Sequence, residues 1–176
     1  MSRMVNWLQV REQKLFFWFN HKLQHTITDR VMNIVTHLGG ATFTIVFCLC
    51  LITLFSRPWS LVGIQALTAL AVSHIPVAII KRKYPRLRPY LVLPKTITCK
   101  NPLKDHSFPS GHTTAIFAVS IPLLMLSPSL SFIVLPLALT VAASRIILGL
   151  HYPSDVAVGA IIGSTAAFIS ASMISF

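Results

Sequence analysis

Four stretches of this chain run almost without charge over lengths that match a lipid bilayer, and they dictate what it can fold into. Val31 to Ser56 and Pro58 to Ile80 contain no Asp, Glu, Lys or Arg. Thr113 to Ser144 is a third such run, and Pro153 to Phe176 is a fourth, interrupted only by Asp155. A helix crossing the hydrocarbon core needs about 20 apolar residues. With 54% hydrophobic and 11% charged residues in 176, the chain is far from an ordinary soluble domain. The third run is too long for one crossing, and Ser127-Pro128-Ser129 divides it, since proline and serine punctuate helices. The expectation is all-α: a polytopic membrane helical bundle of about five transmembrane helices, forming a single membrane-embedded domain over residues 1–176.

Two segments flank the runs. Residues 1–30 mix Trp7, Leu8, Phe16, Phe17, Trp18 and Phe19 with Arg3, Arg11, Lys14, Lys22 and Arg30. That mixture predicts an N-terminal amphipathic helix lying in the interface, aromatic rings at headgroup level and cations toward anionic lipid. Residues 81–109 form a basic, Pro-rich loop with eight of the fifteen Lys and Arg residues and five of the eleven prolines. A stiff basic loop suits a lid over an anionic site. The partners expected are the bilayer and a membrane lipid phosphate, with no nucleic acid. Cys48, Cys50 and Cys99 lack metal-ligand spacing. His37 and His74 lie alone inside apolar runs and are expected to make buried helix contacts.

Seven polar residues stand in three clusters at the ends of the runs: Lys81 and Arg88; Ser110 and His112; and Arg145, His151 and Asp155. Two histidines, a carboxylate and three cations are what moving a phosphoryl group through a covalent intermediate requires. Metal-dependent hydrolases need carboxylate cages, and the chain has four acids: Glu12, Asp29, Asp105 and Asp155. Of these, only Asp155 stands at a membrane-helix start beside other candidates, so neither a metal nor a cofactor is expected. Lys81, Arg88 and Arg145 supply charge to the phosphoryl oxygens. Pro109-Ser110-Gly111 reads as a helix start whose free N–H groups and Ser110 hydroxyl face the anion, with Gly111 letting it approach closely. Asp155, in the first turn of the last helix, orients His151. His151 is the expected nucleophile and His112 the general acid that protonates the leaving oxygen. Singly, these residues also suit duller roles, as interfacial anchors, helix caps or hydrogen-bonded histidines. Their joint order and spacing favour the site.

Lys81 with Arg88-Pro89, then Pro109-Ser110-Gly111-His112, then Ser144-Arg145 with His151 and Asp155, resembles the three-part signature of the type-2 phosphatidic acid phosphatase superfamily of integral membrane lipid phosphatases. The resemblance implies a helical bundle and a phosphohistidine on His151, with His112 as acid. It also implies Lys81, Arg88, Ser110, Gly111 and Arg145 as the phosphate cradle. Substrates it implies are undecaprenyl pyrophosphate or lipid A 1-phosphate first, then phosphatidylglycerol phosphate or phosphatidic acid. A lipid-to-lipid phosphotransferase, a vanadate-type haloperoxidase and a non-catalytic lipid-binding protein are the alternatives. The implied location is the bacterial cytoplasmic membrane with the site on its outer face. The charge distribution points the other way, because with five helices every Lys and Arg except Arg57 falls on the active side.

Overall fold

The computed structural model describes residues 3–99 and 102–174, and these are helical with connecting turns. Helix α1 (Arg3–Phe17) passes through a π turn at Trp18–Lys22 into α2 (Thr26–Val35) and a 3-10 turn at Thr36–Gly39. Then follow α3 (Ala41–Leu54), α4 (Trp59–Lys83), the single turn α5 (Pro89–Val92), α6 (Gly111–Leu126), α7 (Ser131–Ile147) and α8 (Pro153–Met173). Helix α4, the Pro128–Ile147 stretch and α8 are each long and apolar enough to cross a membrane. Thr26–Gly39 together with Ala41–Leu54 makes a fourth crossing if the bent pair is one span, and α6 is a shorter apolar helix between them. The protein is a multi-pass membrane helical bundle. Large apolar side chains such as Leu54, Ile75, Phe132, Ile161 and Phe168 point outward, as a lipid solvent permits.

One expectation needs correcting. The run from Val31 to Ser56 is not one straight helix; it bends by 54° at Gly40. Gly39 and Gly40 lie against His112: a methyl group on Gly39 would stand 2.7 Å from the His112 carbonyl oxygen. The chain thus turns where only backbone can approach. The split at Ser127 is as expected, with α6 ending at Leu126 and a 3-10 turn at Pro128–Leu130 leading into α7.

Helix α6 is the centre of the bundle. Thr113, Thr114, Ala115, Ala118 and Val119 are buried along it. Its 16 residues span only ~24 Å, short of the ~30 Å hydrocarbon core, but with neighbours around it little of it meets lipid. Cys48 and Leu51 of α3, Val62, Ala66 and Ala69 of α4 and Ala167 of α8 form its apolar surround. Small residues set the α6–α8 distance. A methyl on Gly159 would lie 2.7 Å from the Ser110 carbonyl oxygen, and one on Gly163 would collide with that of Thr114. Such a spacing of glycines allows two backbones to approach within a membrane, where packing rather than water drives association. It also ties the start of α6 to the start of α8, where the site lies.

Candidate active site

Each candidate residue sits at or near a helix end on the same side of the bundle. Lys81 ends α4, Arg88 is the N-cap of α5, and Ser110 is the N-cap of α6. Arg145 lies in the last turn of α7, and Asp155 is the third residue of α8. The turn between α7 and α8 holds His151. Gly149 there has φ +71°, a conformation side chains disfavour, and lets the chain fold back so that Leu150 N and His151 N both donate to Arg145 O (3.1 and 3.0 Å). Ser110 N donates to Asp155 O (3.0 Å), joining the second cluster to the third.

The three cations are held differently. Arg88, 1% exposed, donates from Nε to Asp105 O (2.8 Å), from Nη2 to Asp105 Oδ1 (2.6 Å), and from Nη1 to Leu150 O (2.9 Å). Lys81 forms an ion pair with the other Asp105 oxygen. Arg145, 2% exposed, donates from Nη1 to Thr36 Oγ1, while its Nε and Nη2 have no partner among the described residues. Buried guanidinium N–H groups without an acceptor are costly unless an anion meets them.

His112 and His151 line the same cavity. Arg88 Nη1 lies 3.1 Å from His151 Nε2. A guanidinium can only donate, so Nε2 is the lone-pair nitrogen and the ring proton of the neutral form is on Nδ1. Nδ1 stands 3.6 Å from Asp155 Oδ2. That is too long for the hydrogen bond expected between them. The carboxylate is shared: Oδ2 accepts from Tyr152 N (2.8 Å) and Ser107 Oγ, and Oδ1 accepts from Arg86 Nη1 (2.8 Å). Asp155 is therefore a helix-capping carboxylate as well as the neighbour of His151. Burial, together with Arg145 and Arg88, holds the His151 imidazole down at about 4 despite the opposing pull of Asp155. A ring whose Nε2 accepts from Arg88 is the neutral form, with that lone pair directed at the guanidinium.

A cavity of about 510 Å³ opens beside these groups, lined by Lys81, Arg88, Asp105, Gly111, His112 and His151 at one end. Its other walls are Ile45, Leu67, Leu70, Ala71 and Ala115, from α3, α4 and α6. A second cavity of about 540 Å³ shares His112 and Leu103 with the first and reaches Arg145, Thr36, Asn33 and Asp29. A methyl on Gly111 would meet nothing within 4 Å, so the start of α6 is open to a ligand. Ser110 and Asp155 lie behind this wall, fully buried. The Ser110 hydroxyl oxygen accepts from Thr113 N and, at 3.0 Å, from Thr113 Oγ1, which employs it as the α6 cap.

Sequence reasoning missed four participants. Asp105 occupies both Lys81 and Arg88. Burial alone would raise its carboxyl, but the Lys81 hydrogen bond and the Arg88 charge outweigh that and hold it at about 2. Arg86 and Ser107 flank Asp155, and Glu12 reaches Arg86 Nη2 (2.6 Å). Asp155 is the acid at a membrane-helix start, as expected, but Asp105 and Glu12 also reach the candidates, brought by folds of the loop and of α1. His37 and His74 are not buried helix contacts either. Both are exposed, His37 at the mouth of the second cavity and His74 on the apolar one.

Residues 62–176 match the sequence model of the PAP2 superfamily, a span that contains all three clusters. The chain belongs to the PAP2 superfamily. Among curated PAP2 relatives, the bacitracin transport permease protein BcrC of Bacillus licheniformis is 34% identical over 119 residues, 66% of this chain and 59% of that protein. An undecaprenyl-diphosphatase of Sulfolobus acidocaldarius is 29% identical over 62% of this chain and 53% of its own length. The chain thus spans a little over half the length of these relatives. Among solved structures, LpxE of Aquifex aeolicus superposes with a TM-score of 0.81 at 26% identity, covering 90% of this chain and 93% of that one.

Proposed function

We propose that this PAP2 protein is a metal-independent membrane lipid phosphatase whose preferred substrate is a polyprenyl pyrophosphate. One observation carries the reading: the 510 Å³ cavity is mostly apolar along α3, α4 and α6, with Thr44 and His74 as the polar side chains of those walls, and ends on Lys81, Arg88, His112 and His151. A substrate filling it is largely apolar up to its phosphates. A polyprenyl chain meets that description, whereas the sugar of lipid A needs polar walls beside the phosphate. The undecaprenyl-diphosphatase named among the relatives supports the same class.

In this proposal the terminal phosphoryl group takes the Arg145 Nε and Nη2 groups that lack a partner among the described residues, the open N–H groups at Gly111, and Lys81 and Arg88 once Asp105 yields them. The N–H groups and cations meet charge that builds on the equatorial oxygens. Nε2 of His151 leaves its Arg88 hydrogen bond and forms the P–N bond as the bond to the leaving oxygen breaks. His112 gives that oxygen a proton, then takes one from the water that cleaves the phosphohistidine. The polyprenyl monophosphate and inorganic phosphate are the products.

The test is phosphate release by the detergent-purified protein, in EDTA, from polyprenyl pyrophosphate, lipid A, phosphatidylglycerol phosphate and phosphatidic acid. Polyprenyl pyrophosphate is expected to turn over fastest and EDTA to change nothing. A preference for lipid A or a loss on chelation would overturn the substrate or the metal-free chemistry, respectively.

We also infer that the active end faces outward from a cytoplasmic membrane. The positive-inside rule favours the opposite side. Part of that charge belongs to the site itself, since Lys81, Arg86, Arg88 and Arg145 are bound within it. Cys99, half-buried on the second cavity, reports the side. Labelling by an impermeant maleimide in intact cells is expected, and labelling only after permeabilisation would reverse the orientation.

A further inference from the structure

Helix α1 contains one acid, Glu12, and the family match begins well after it, at residue 62. Glu12 nevertheless reaches the third cluster. Its Oε2 pairs with Arg86 Nη2 at 2.6 Å, and its Oε1 accepts from Ser154 N (3.1 Å) and Ser154 Oγ. Arg86 Nη1 in turn bonds Ser154 Oγ and Asp155 Oδ1, both at 2.8 Å. The guanidinium lies 3.8 Å over the Tyr152 ring, which fixes its plane. Phe16, fully buried against Tyr152, Leu93 and Ile146, clamps α1 in register.

We propose that Glu12 is a positioning residue that acts through Arg86 on Asp155, and so on the nucleophile His151. The inference rests on His151 being the nucleophile. Its physical content is charge balance. Arg86 and Asp155 alone would make a neutral pair beside an imidazole already facing Arg88 and Arg145. Glu12 compensates Arg86, so the Glu12–Arg86–Asp155 chain carries a net negative charge. That charge stabilises the positive ring formed as Nε2 attacks phosphorus. The fork of Arg86, held at both ends, also keeps the fully buried Asp155 carboxylate facing Nδ1 rather than turning on its capping bond.

The effect belongs to the transition state, so it appears in kcat and not in KM. Glu12→Gln keeps the shape and removes the charge. Relative to the wild-type chain, it is expected to lower kcat for polyprenyl pyrophosphate roughly tenfold to a hundredfold, the range for partners that orient an active-site ligand. KM should stay as in the wild type. Introduced into Asp155→Asn, the same change should add nothing, because the group it acts through is gone. Arg86→Lys keeps a charge and loses the fork, and is expected to share the kcat loss.

Four outcomes overturn the proposal: wild-type kcat in Glu12→Gln; an equal fall in both backgrounds accompanied by a lower Tm, which marks a merely structural contact; failure of both Glu12→Gln and Arg86→Lys to fold; or a change confined to KM. His151→Ala in the same assay separates the two levels. If it turns over like the wild type, the phosphohistidine reading fails and takes this inference with it. If it is dead while Glu12→Gln is normal, only the inference fails.

Discussion

His151→Ala is expected to lose turnover by at least about 10⁴-fold, or about 5.5 kcal/mol of transition-state stabilisation, because the substitution removes the atom proposed to attack phosphorus. Anion binding should survive. Arg88 keeps its bonds to Leu150 O and Asp105 when the imidazole goes, and Arg145 makes none to it. The Arg88 Nη1 hydrogen now given to Nε2 becomes available to an anion. Orthovanadate should therefore bind the variant about as well as the wild type, measured by calorimetry, while ³²P from labelled substrate no longer remains on the denatured protein. Retained turnover, or labelled protein in the variant, would remove His151 as nucleophile. Lost turnover with lost vanadate binding would mean that the imidazole builds the cradle.

Asp155→Asn should cost both rate and stability, and the geometry says why the two come together. Oδ1 accepts from Arg86, while Oδ2 accepts from Tyr152 N and Ser107 Oγ. An amide has only one oxygen. If it stays on Arg86, its NH₂ faces the Tyr152 N–H, leaving a buried donor unmet at about 1–3 kcal/mol. If it turns to keep the cap, the NH₂ meets the guanidinium. In either position the ring of His151 loses the negative field beside Nδ1. The expected fall in kcat is on the order of 10² to 10⁴, the range for carboxylates that orient a catalytic histidine. A lower Tm should accompany it. Near-normal kcat with a lower Tm would leave Asp155 as a cap alone, a role its 3.6 Å separation from His151 keeps open to test.

Much of this architecture was legible in the chain because the bilayer imposes a simple rule. Backbone polar groups must pair internally, so long uncharged runs become helices, and the split at Ser127 follows from proline chemistry. The break at Gly40 was not legible, since glycine is common in membrane helices and nothing in the local pattern says that a second helix must press on it. The three clusters could be read as one candidate site because motif residues stand at helix ends and an even number of crossings brings those ends together. Arg86 was hidden among neighbouring basic residues, and Asp105 lay in a loop whose path spacing cannot determine. Glu12 was hidden further, because no local pattern states which face of α1 meets a loop more than seventy residues away.

By itself, the order of residues determined the solvent of this protein, its helical class and the chemical kinds of group gathered at one end of the bundle. These follow from composition, periodicity and short-range spacing, which are properties of the chain taken locally. Only the tertiary structure decided which partner each charge takes: that Asp105 holds Lys81 and Arg88, that Nε and Nη2 of Arg145 have no acceptor among the described residues, and that the Asp155 carboxylate is divided among Arg86, Ser107 and its own helix cap. The reason is physical. Pairing energies in a buried site depend on distances of a few tenths of an ångström and on desolvation, and both are set by how distant helices pack rather than by the residues beside them.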